Sequence, residues 1–309
     1  MSEARKLQFH ALGTLCEVQY FAVSEASANR FEQTAVAWVQ AFEAKYTRFR
    51  ETSLIGRINA AAGRSWVEVD AEAEQFFKLC DSVYFLTQGA MDPTALPLLR
   101  LWNWRASPPV VPSAGAIAEA MSKVGWKKVQ RQPGRVYLPE PGMALDFGGF
   151  GKEYAVDQVA RIAQDCGLIA ALVDFGHDLR AWGVPPNKPA WHIGLEDPKR
   201  PGTPAGSVAL RAGKGIASSG DYLRSFVIDG RRYGHIVDPR TGSPVANGCV
   251  QATVIASTCL QAGILSTTAF ILGVPKGLEF IQGSAGAEGI LLTDTARAQT
   301  RGWFHYVVS

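Results

Sequence analysis

The sequence predicts a mixed α+β fold in which helices pack on sheets. Stretches that alternate apolar and polar residues, typical of half-buried strands, are interleaved with stretches whose apolar residues recur at helical spacing. An Asp229-Gly230 pair between two strand-like arms indicates a hairpin. The sequence contains no internal repeat and no low-complexity segment. We therefore expect a single domain over residues 1–309, or two subdomains that meet in the proline-rich stretch near 105–115.

The elements can be assigned in chain order. CEVQYFAV alternates as a strand, and the next stretch carries apolar residues on one helical face: Ala35, Trp38, Val39, Phe42 and Tyr46. DAEAEQFFKLCDSVYFLTQG predicts a second helix with Gly89 as its C-cap. The later predicted elements are helix AGAIAEAMSKVGW, helix KEYAVDQVARIAQDCG, strand LIAALVDFG, hairpin RSFVIDGRRYGHIVD, strand CVQATVIAS, helix TCLQAGILSTTAF and strands GILLTD and WFHYVV.

Composition excludes several classes of protein. With 47% hydrophobic residues and a formal net charge of +3, the chain has an ordinary globular composition without a basic block, which argues against nucleic acid binding. No stretch is long and apolar enough for a membrane span. Five scattered cysteines without a CxxC pair argue against a disulfide framework or zinc site and favour a reducing compartment. MSEARKLQFHALGTLCEV lacks a signal-peptide core, so we expect a cytoplasmic protein, or a periplasmic one if a signal peptide has been trimmed.

Four glycine- and aspartate-bearing segments are candidates for chemistry. GAMDPTALPLLRLW contains an Asp-Pro-Thr step, which by itself favours a turn. LDFGGFGKEYAVDQVA leads from a strand through glycines into a helix, either as a packing turn or as a phosphate cradle that Lys152 would reach. GIASSGDYLRSF is typical of a loop with side-chain to backbone hydrogen bonds. In YGHIVDPRTGSPV, His235 precedes a tight turn and is either structural or catalytic.

Together these segments resemble the ApbE family of FAD:protein FMN transferases. The likeness extends from LGTLCEV to the final strands, and the segments FRETSLIGRIN, GAMDPT, LDFGGFGKEYAVD, SSGDY, HIVDPRTGSPV and LSTTAFILG occur in the family's order. The resemblance implies a T-fold-related α+β architecture. It also implies an enzyme of the EC 2.7.1 class that uses magnesium to move FMN from FAD onto a threonine or serine of an acceptor protein, with release of AMP. Some members instead hydrolyse FAD to FMN and AMP.

The resemblance also assigns residues to the FAD site. Carried over position by position, the FAD-binding residues would be Leu12, Phe49, Ala90, Met91, Asp92, Asp146, Lys152 and His235. His235 would also be the catalytic base, because a histidine pKa near neutrality suits a proton acceptor. Asp238 and Thr241 would hold the turn after His235.

The metal site is where the sequence departs from the family pattern. The family holds magnesium by a carbonyl that falls at Gly149, by a threonine that falls at Thr267, and by an aspartate whose position is Gly263 here. Residues 263 and 267 share a helical face. Magnesium prefers anionic oxygen ligands, so we expect weakened binding unless Glu153, Asp174, Asp178 or Asp221 supplies a carboxylate.

Other departures surround the same segments. The family commonly has glycine at the positions of Leu96, Glu153 and His177, so larger side chains replace small ones here. Three functions stay open at this point. The chain is a transferase or FAD pyrophosphatase, a non-catalytic flavin carrier or chaperone, or an enzyme that uses flavin in redox chemistry, although no nicotinamide fingerprint is found.

Overall fold

A computed structural model describes residues 3–200 and 202–308 and divides the chain into two compact units. The large unit comprises Met1–Glu43, Phe150–Gly220 and Gly248–Ser309, and the small unit comprises Ala44–Gly149 and Asp221–Asn247. The proline-rich segment 105–115 lies within the small unit, and the number of domains stays a prediction.

The helices and strands of both units are numbered together in chain order. The α-helices are α1 Glu25–Tyr46, α2 Leu54–Ala60, α3 Ala71–Leu86, α4 Leu96–Leu101, α5 Ala114–Ser122, α6 Gly151–Asp165, α7 Cys259–Leu272 and α8 Lys276–Gln282. The strands are β1 Arg5–Ala11, β2 Thr14–Phe21, β3 Val67–Glu68, β4 Gln130–Gln132, β5 Arg135–Tyr137, β6 Ala170–Phe175, β7 Asp178–Trp182, β8 Trp191–Glu196, β9 Pro204–Leu210, β10 Gly215–Gly220, β11 Ser225–Ile228, β12 Arg231–Gly234, β13 Val237–Asp238, β14 Ser243–Pro244, β15 Cys249–Ala256, β16 Glu288–Thr293 and β17 Arg297–Gln299.

The large unit is built on an eight-stranded sheet in the order β1-β2-β6-β7-β10-β15-β16-β17, with antiparallel pairing throughout. Helix α6 packs on β6 and β7, and α7 packs on β10 and β15. Every residue of β15 is buried, which is expected for a strand covered on both faces. The sheet therefore positions both helices and the candidate residues that they carry.

The opposite face of this sheet is covered by the β8–β9 hairpin and by residues near the C-terminus. The side chains that form this core are Ala170, Leu172, Leu179, Ala181, Trp191, Ile193, Val208, Leu210, Ile216, Ile255, Ile290 and Trp303. In β6, Ala170 and Leu172 point into this core, whereas Ala171 between them faces the other side, as the period of a strand requires.

The small unit packs short helices against a β-hairpin. Trp102, at the end of α4, stacks on Tyr233 of β12 with ring centroids 5.7 Å apart, and its indole N–H donates to the Gly242 carbonyl at 2.7 Å. Gly242 has φ +72°, and a Cβ there would lie 2.7 Å from the sulfur of Met121 in α5. The tight turn that follows His235 is therefore packed against α5 and requires glycine at this position.

Most predicted elements are confirmed. Asp229 and Gly230 both have positive φ, at 50° and 73°, as a two-residue type I′ hairpin turn between β11 and β12 requires. The C-cap of α3 is Thr87 and not the predicted Gly89, because the helix already ends at Leu86; Gly89, with φ 77°, lies two residues beyond the cap and donates its N–H to the Tyr84 carbonyl. The strand predicted for WFHYVV is wrong. Trp303–His305 forms a 3-10 helix instead, because the fully buried Trp303 anchors a tight turn on the sheet and the apolar residues there do not alternate across a strand.

Candidate functional site

Helices α6 and α7 of the large unit are tied together through the N-terminus of α7. The Asp157 carboxylate of α6 accepts hydrogen bonds from the backbone N–H groups of Cys259 and Leu260, both at 2.9 Å. Thr258 is the N-cap and accepts from the Gln261 N–H. A carboxylate at this position satisfies otherwise unpaired amides and interacts favourably with the helix dipole. Burial nevertheless raises the pKa of Asp157.

One turn earlier on α6, Glu153 lies over Gly263, the position at which the family pattern has an aspartate. A Cβ built on Gly263 would lie 2.7 Å from Cγ and 3.3 Å from the carboxyl carbon of Glu153. Glu153 is 7% exposed, and its Oε2 is buried without a hydrogen-bond partner among the described residues. The Glu153 carboxylate therefore occupies the space into which a side chain at 263 would project.

Lys152 contacts two carboxylates of the large unit, those of Asp178 and Glu153. Its ammonium pairs closely with Oδ2 of Asp178 and lies 3.3 Å from Oε1 of Glu153. The other oxygen of Asp178 accepts from the Ser218 N–H at 3.2 Å. Both Asp178 oxygens are thus engaged, whereas Glu153 keeps one oxygen without a partner within the described ranges.

Thr267 follows Gly263 by one helical turn and belongs to a group of hydroxyls. Its Oγ1 lies 2.8 Å from Oγ of Ser219 on β10, and Ser219 also contacts the Ser266 hydroxyl at 3.0 Å. Ser266 in turn donates to the Gly263 carbonyl at 3.1 Å. Hydroxyl oxygens of this kind are ligands that a hard cation accepts. In the part of the chain that the structure describes, however, no group of three or more His, Cys, Asp or Glu residues is placed to hold a metal.

The remaining candidates of the large unit lie in or next to two hairpin turns. Leu12, between β1 and β2, has φ 54° and donates its N–H to Glu43 at 2.8 Å. A positive φ is uncommon for a branched residue such as leucine, so this turn stores strain. Asp174, at the end of β6, accepts from the His177 N–H at 2.8 Å, and burial raises its pKa. His177 itself has φ 70° in the turn between β6 and β7.

In the small unit, Asp92 holds a turn. Its Oδ1 accepts from the N–H and the hydroxyl of Thr94, at 2.7 and 2.6 Å, and its Oδ2 accepts from the Trp126 N–H at 3.0 Å. Burial raises the pKa of Asp92, and these hydrogen bonds oppose that effect. Its two neighbours in the motif, Ala90 and Met91, are buried. Asp92 fixes the segment that carries them, since both of its oxygens already have partners.

Asp146 and Phe49 are connected through Arg48, which the sequence analysis did not single out. The Arg48 Nε lies 3.2 Å from Oδ2 of Asp146, and its guanidinium stacks on the Phe49 ring at 4.2 Å. The Gly148 N–H donates to the other Asp146 oxygen at 3.0 Å. Phe49 is 79% exposed, which is unusual for a large aromatic side chain. The ring is therefore free to stack on a planar ligand.

Two further candidate residues of the small unit are Gly149 and Asp221. Gly149 is exposed, and a Cβ there would lie 3.5 Å from the methyl group of Met91. Asp221 pairs with Arg232 at 3.0 Å, so it neutralises a hairpin arginine in this unit.

His235 follows β12 in the small unit and is held by its backbone. Its N–H donates to the Arg224 carbonyl at 2.9 Å, and its ring lies edge-on to Trp104 with centroids 6.4 Å apart. Burial and the nearby positive charge of Arg224 lower the His235 pKa to about 4. Its Nδ1 is buried and accepts no hydrogen bond from any described residue. At neutral pH the imidazole is therefore uncharged and has a nitrogen that can accept a proton.

After His235, the turn has the role that the resemblance implied. Both Asp238 carboxylate oxygens accept from the Arg240 side chain, at 2.9 and 2.8 Å. The Asp238 carbonyl accepts from the N–H groups of Thr241 and Gly242, at 3.1 and 2.9 Å.

The sequence analysis missed Asp157, Arg48 and Ser219. A signal for Asp157 was present, because Glu153 and Asp157 are spaced four residues apart and must share a face of α6. Arg48 and Ser219 carry no such signal, since Arg48 pairs with Asp146 and Ser219 contacts Ser266 and Thr267, all of them distant in sequence. No helix within the described ranges combines the length and apolarity that crossing a membrane requires.

Comparison with known proteins gives consistent matches. The ApbE family model matches residues 12–291. A relative from Klebsiella pneumoniae named FAD:protein FMN transferase is 30% identical over 261 residues, which cover 82% of this chain and 74% of the relative. A Treponema pallidum protein of the same name is 28% identical over 252 residues, which cover 75% of this chain and 69% of that protein.

Solved structures agree with this result. The ApbE protein from Thermotoga maritima has a TM-score of 0.88 and 30% identity, covering 99% of this chain and all of that one. The apo form of Pseudomonas stutzeri flavinyl transferase ApbE has a TM-score of 0.86 and 26% identity, covering 98% of this chain and 96% of that one. The expected ApbE-like α+β architecture is thereby confirmed. With a family match that spans almost the whole chain, this protein belongs to the ApbE family.

Proposed function

We propose that this protein is an FAD:protein FMN transferase, which moves FMN from FAD onto a threonine or serine of an acceptor protein and releases AMP. The observation that carries the proposal is the 30% identity, over 261 residues, with a relative of that name. The motif segments quoted above support it, because they supply an exposed aromatic ring, a lysine at a helix N-terminus and an uncharged histidine.

The reaction is a phosphoryl transfer. The acceptor hydroxyl oxygen attacks the phosphorus on the FMN side of the pyrophosphate, the bond from that phosphorus to the bridging oxygen breaks, and AMP leaves with that oxygen. The hydroxyl proton passes to a base, for which we propose Nδ1 of His235, since it is buried and has no partner within the described ranges. Its pKa of about 4 makes it a weak base in the free protein. Negative charge from a substrate phosphate would raise that pKa.

The FAD contacts follow from the same segments. We propose that the exposed Phe49 ring stacks on the isoalloxazine and that Arg48 and Asp146 hold the ring in place. Lys152 would provide positive charge for the phosphates. Leu12, Ala90, Met91 and Asp92 would shape the remaining surface, with Asp92 acting through its turn.

A divalent cation, Mg²⁺ in the family pattern, would neutralise charge on the pyrophosphate when bound. The residues of the large unit fit such an ion, because Glu153 has a buried oxygen that lacks a partner in the described structure and Thr267 offers a hydroxyl. The Gly149 carbonyl stays a prediction from the resemblance.

Two observations favour an alternative, a flavin carrier without catalysis. Position 263 has no side chain, and the described residues contain no cluster of three or more acidic, histidine or cysteine ligands. A third reading is an FAD pyrophosphatase, in which water takes the place of the acceptor hydroxyl.

Incubation of the full chain with FAD and Mg²⁺, with and without an acceptor flavoprotein, distinguishes these functions. Chromatography measures AMP and free FMN, and denaturing electrophoresis measures flavin fluorescence retained on the acceptor. We expect AMP together with acceptor-bound flavin. AMP with an equal amount of free FMN would indicate the pyrophosphatase, and tight FAD binding without AMP would indicate the carrier.

A further inference from the structure

We propose that the Glu153 carboxylate of α6 is the anionic ligand of a divalent cation in this protein, in place of a side chain at position 263 of α7. The proposal rests on the metal-assisted function above. It names the group that makes the cation site of this chain, which neither the family match nor the relatives' names assign.

Space is the first argument. Glu153 Cγ lies 2.7 Å from where a Cβ at 263 would be, which is closer than real side chains approach one another. Glycine at 263 is thus the residue that allows Glu153 to cover this part of α7. Glu153 and Gly263 are complementary departures from the family pattern, which has glycine at position 153 and aspartate at position 263. This chain thus gains a side chain on α6 and lacks one on α7.

The register between the helices is the second argument. Asp157 binds the amides of Cys259 and Leu260, and Glu153 lies over Gly263, so the two contacts are each one turn apart along α6 and α7. The helices therefore run antiparallel at this contact, and Asp157 anchors it. The anchored contact brings the Glu153 carboxylate to the helical face that Thr267 shares.

The charge of the cluster is the third argument. Glu153 and Asp178 bring two negative charges, and Lys152 brings one positive charge that is closest to Asp178. One negative charge is left over, and it belongs to a carboxylate whose Oε2 is buried without a partner among the described residues. A buried carboxylate oxygen without a partner is costly unless a cation or donor satisfies it. A divalent cation satisfies it and takes hydroxyl and water oxygens as its other ligands.

Binding of Mg²⁺ to the EDTA-stripped full chain tests this directly, by calorimetry with Mg²⁺ and by paramagnetic resonance with Mn²⁺ as the probe. Glu153→Gln keeps the shape and removes the charge, and we expect it to weaken Mg²⁺ binding about tenfold or more. Glu32→Gln is the matched control, because Glu32 is a half-buried glutamate that accepts from the Tyr20 hydroxyl, and it should bind Mg²⁺ like wild type.

A swap separates ligation from a merely structural role. Glu153→Gly/Gly263→Asp removes the crowding and moves the carboxylate to α7, and we expect Mg²⁺ affinity to return to within severalfold of wild type. Gly263→Asp alone should lower the melting temperature, because its Cβ meets Glu153. Undiminished Mg²⁺ binding by Glu153→Gln, an equal loss in Glu32→Gln, or a swap variant that folds and regains nothing would each overturn the proposal.

These results are independent of the proposed transferase activity. If Glu153→Gln loses Mg²⁺ and wild type releases no AMP, the ligand assignment stands and the proposed function fails. If wild type releases AMP and Glu153→Gln binds Mg²⁺ normally, the function stands and the ligand assignment fails.

Discussion

The carboxylates of the two units are used in different ways. In the small unit, both oxygens of Asp92 and both of Asp238 accept hydrogen bonds from residues of that unit. In the large unit, Glu153 has a buried oxygen for which the described residues provide no partner. The aspartates of the small unit therefore maintain backbone shape, whereas the glutamate of the large unit retains capacity to bind a cation. A motif match alone does not distinguish these two uses.

The largest expected effect is on turnover and comes from the small unit. His235→Ala should reduce AMP release at least about a hundredfold, because it removes the proposed base, while FAD affinity measured by fluorescence quenching stays within about twofold. His192→Ala, at an exposed histidine of β8, is the control and should leave both unchanged. Normal AMP release by His235→Ala would remove His235 from the mechanism.

The next effect concerns the anchor of the large unit. Asp157→Ala removes two hydrogen bonds at the N-terminus of α7 and should cost about 1–2 kcal/mol of folding free energy, or roughly 2–4 °C in melting temperature. It should also weaken Mg²⁺ binding severalfold, because the α6–α7 contact holds Glu153. Asp70→Ala, which removes the N-cap of α3, should destabilise similarly and leave Mg²⁺ binding unchanged. Equal Mg²⁺ effects in both variants would show that the anchor has no specific role.

The smallest effect concerns the exposed ring. Phe49→Ala should weaken FAD binding about two- to tenfold, the range expected for loss of one aromatic stacking contact, with little change in melting temperature because the ring is 79% exposed. Phe304→Ala, at another exposed phenylalanine, provides the comparison and should not affect FAD. Wild-type affinity in Phe49→Ala would place the flavin elsewhere.

Much of the fold follows from local sequence. The Asp229-Gly230 turn, the Thr258 cap of α7 and the largely apolar β15 each report a structure that nearby residues determine. The C-terminal strand was wrong because Trp303 is buried by distant strands, which a local pattern does not reveal. Periodicity alone does not show whether a short apolar run of this kind forms a strand or a helix.

The site was predictable to a lesser degree. The resemblance supplied its residues, and the sequence identified Gly263 as a departure and Glu153 among four substitute carboxylates. It did not choose among the four, because that choice depends on how α6 crosses α7. The structure separates them: Asp178 pairs with Lys152, Asp174 caps a turn and Asp221 pairs with Arg232, whereas Glu153 lies over Gly263.

AMP release from FAD tests the central claim most directly when wild type, Glu153→Gln and Glu153→Gly/Gly263→Asp are assayed with Mg²⁺ and with EDTA. We expect wild type and the swap variant to release AMP with Mg²⁺ and to stop with EDTA, while Glu153→Gln is slow in both. Release by Glu153→Gln at the wild-type rate, with the same dependence on Mg²⁺, would contradict the account.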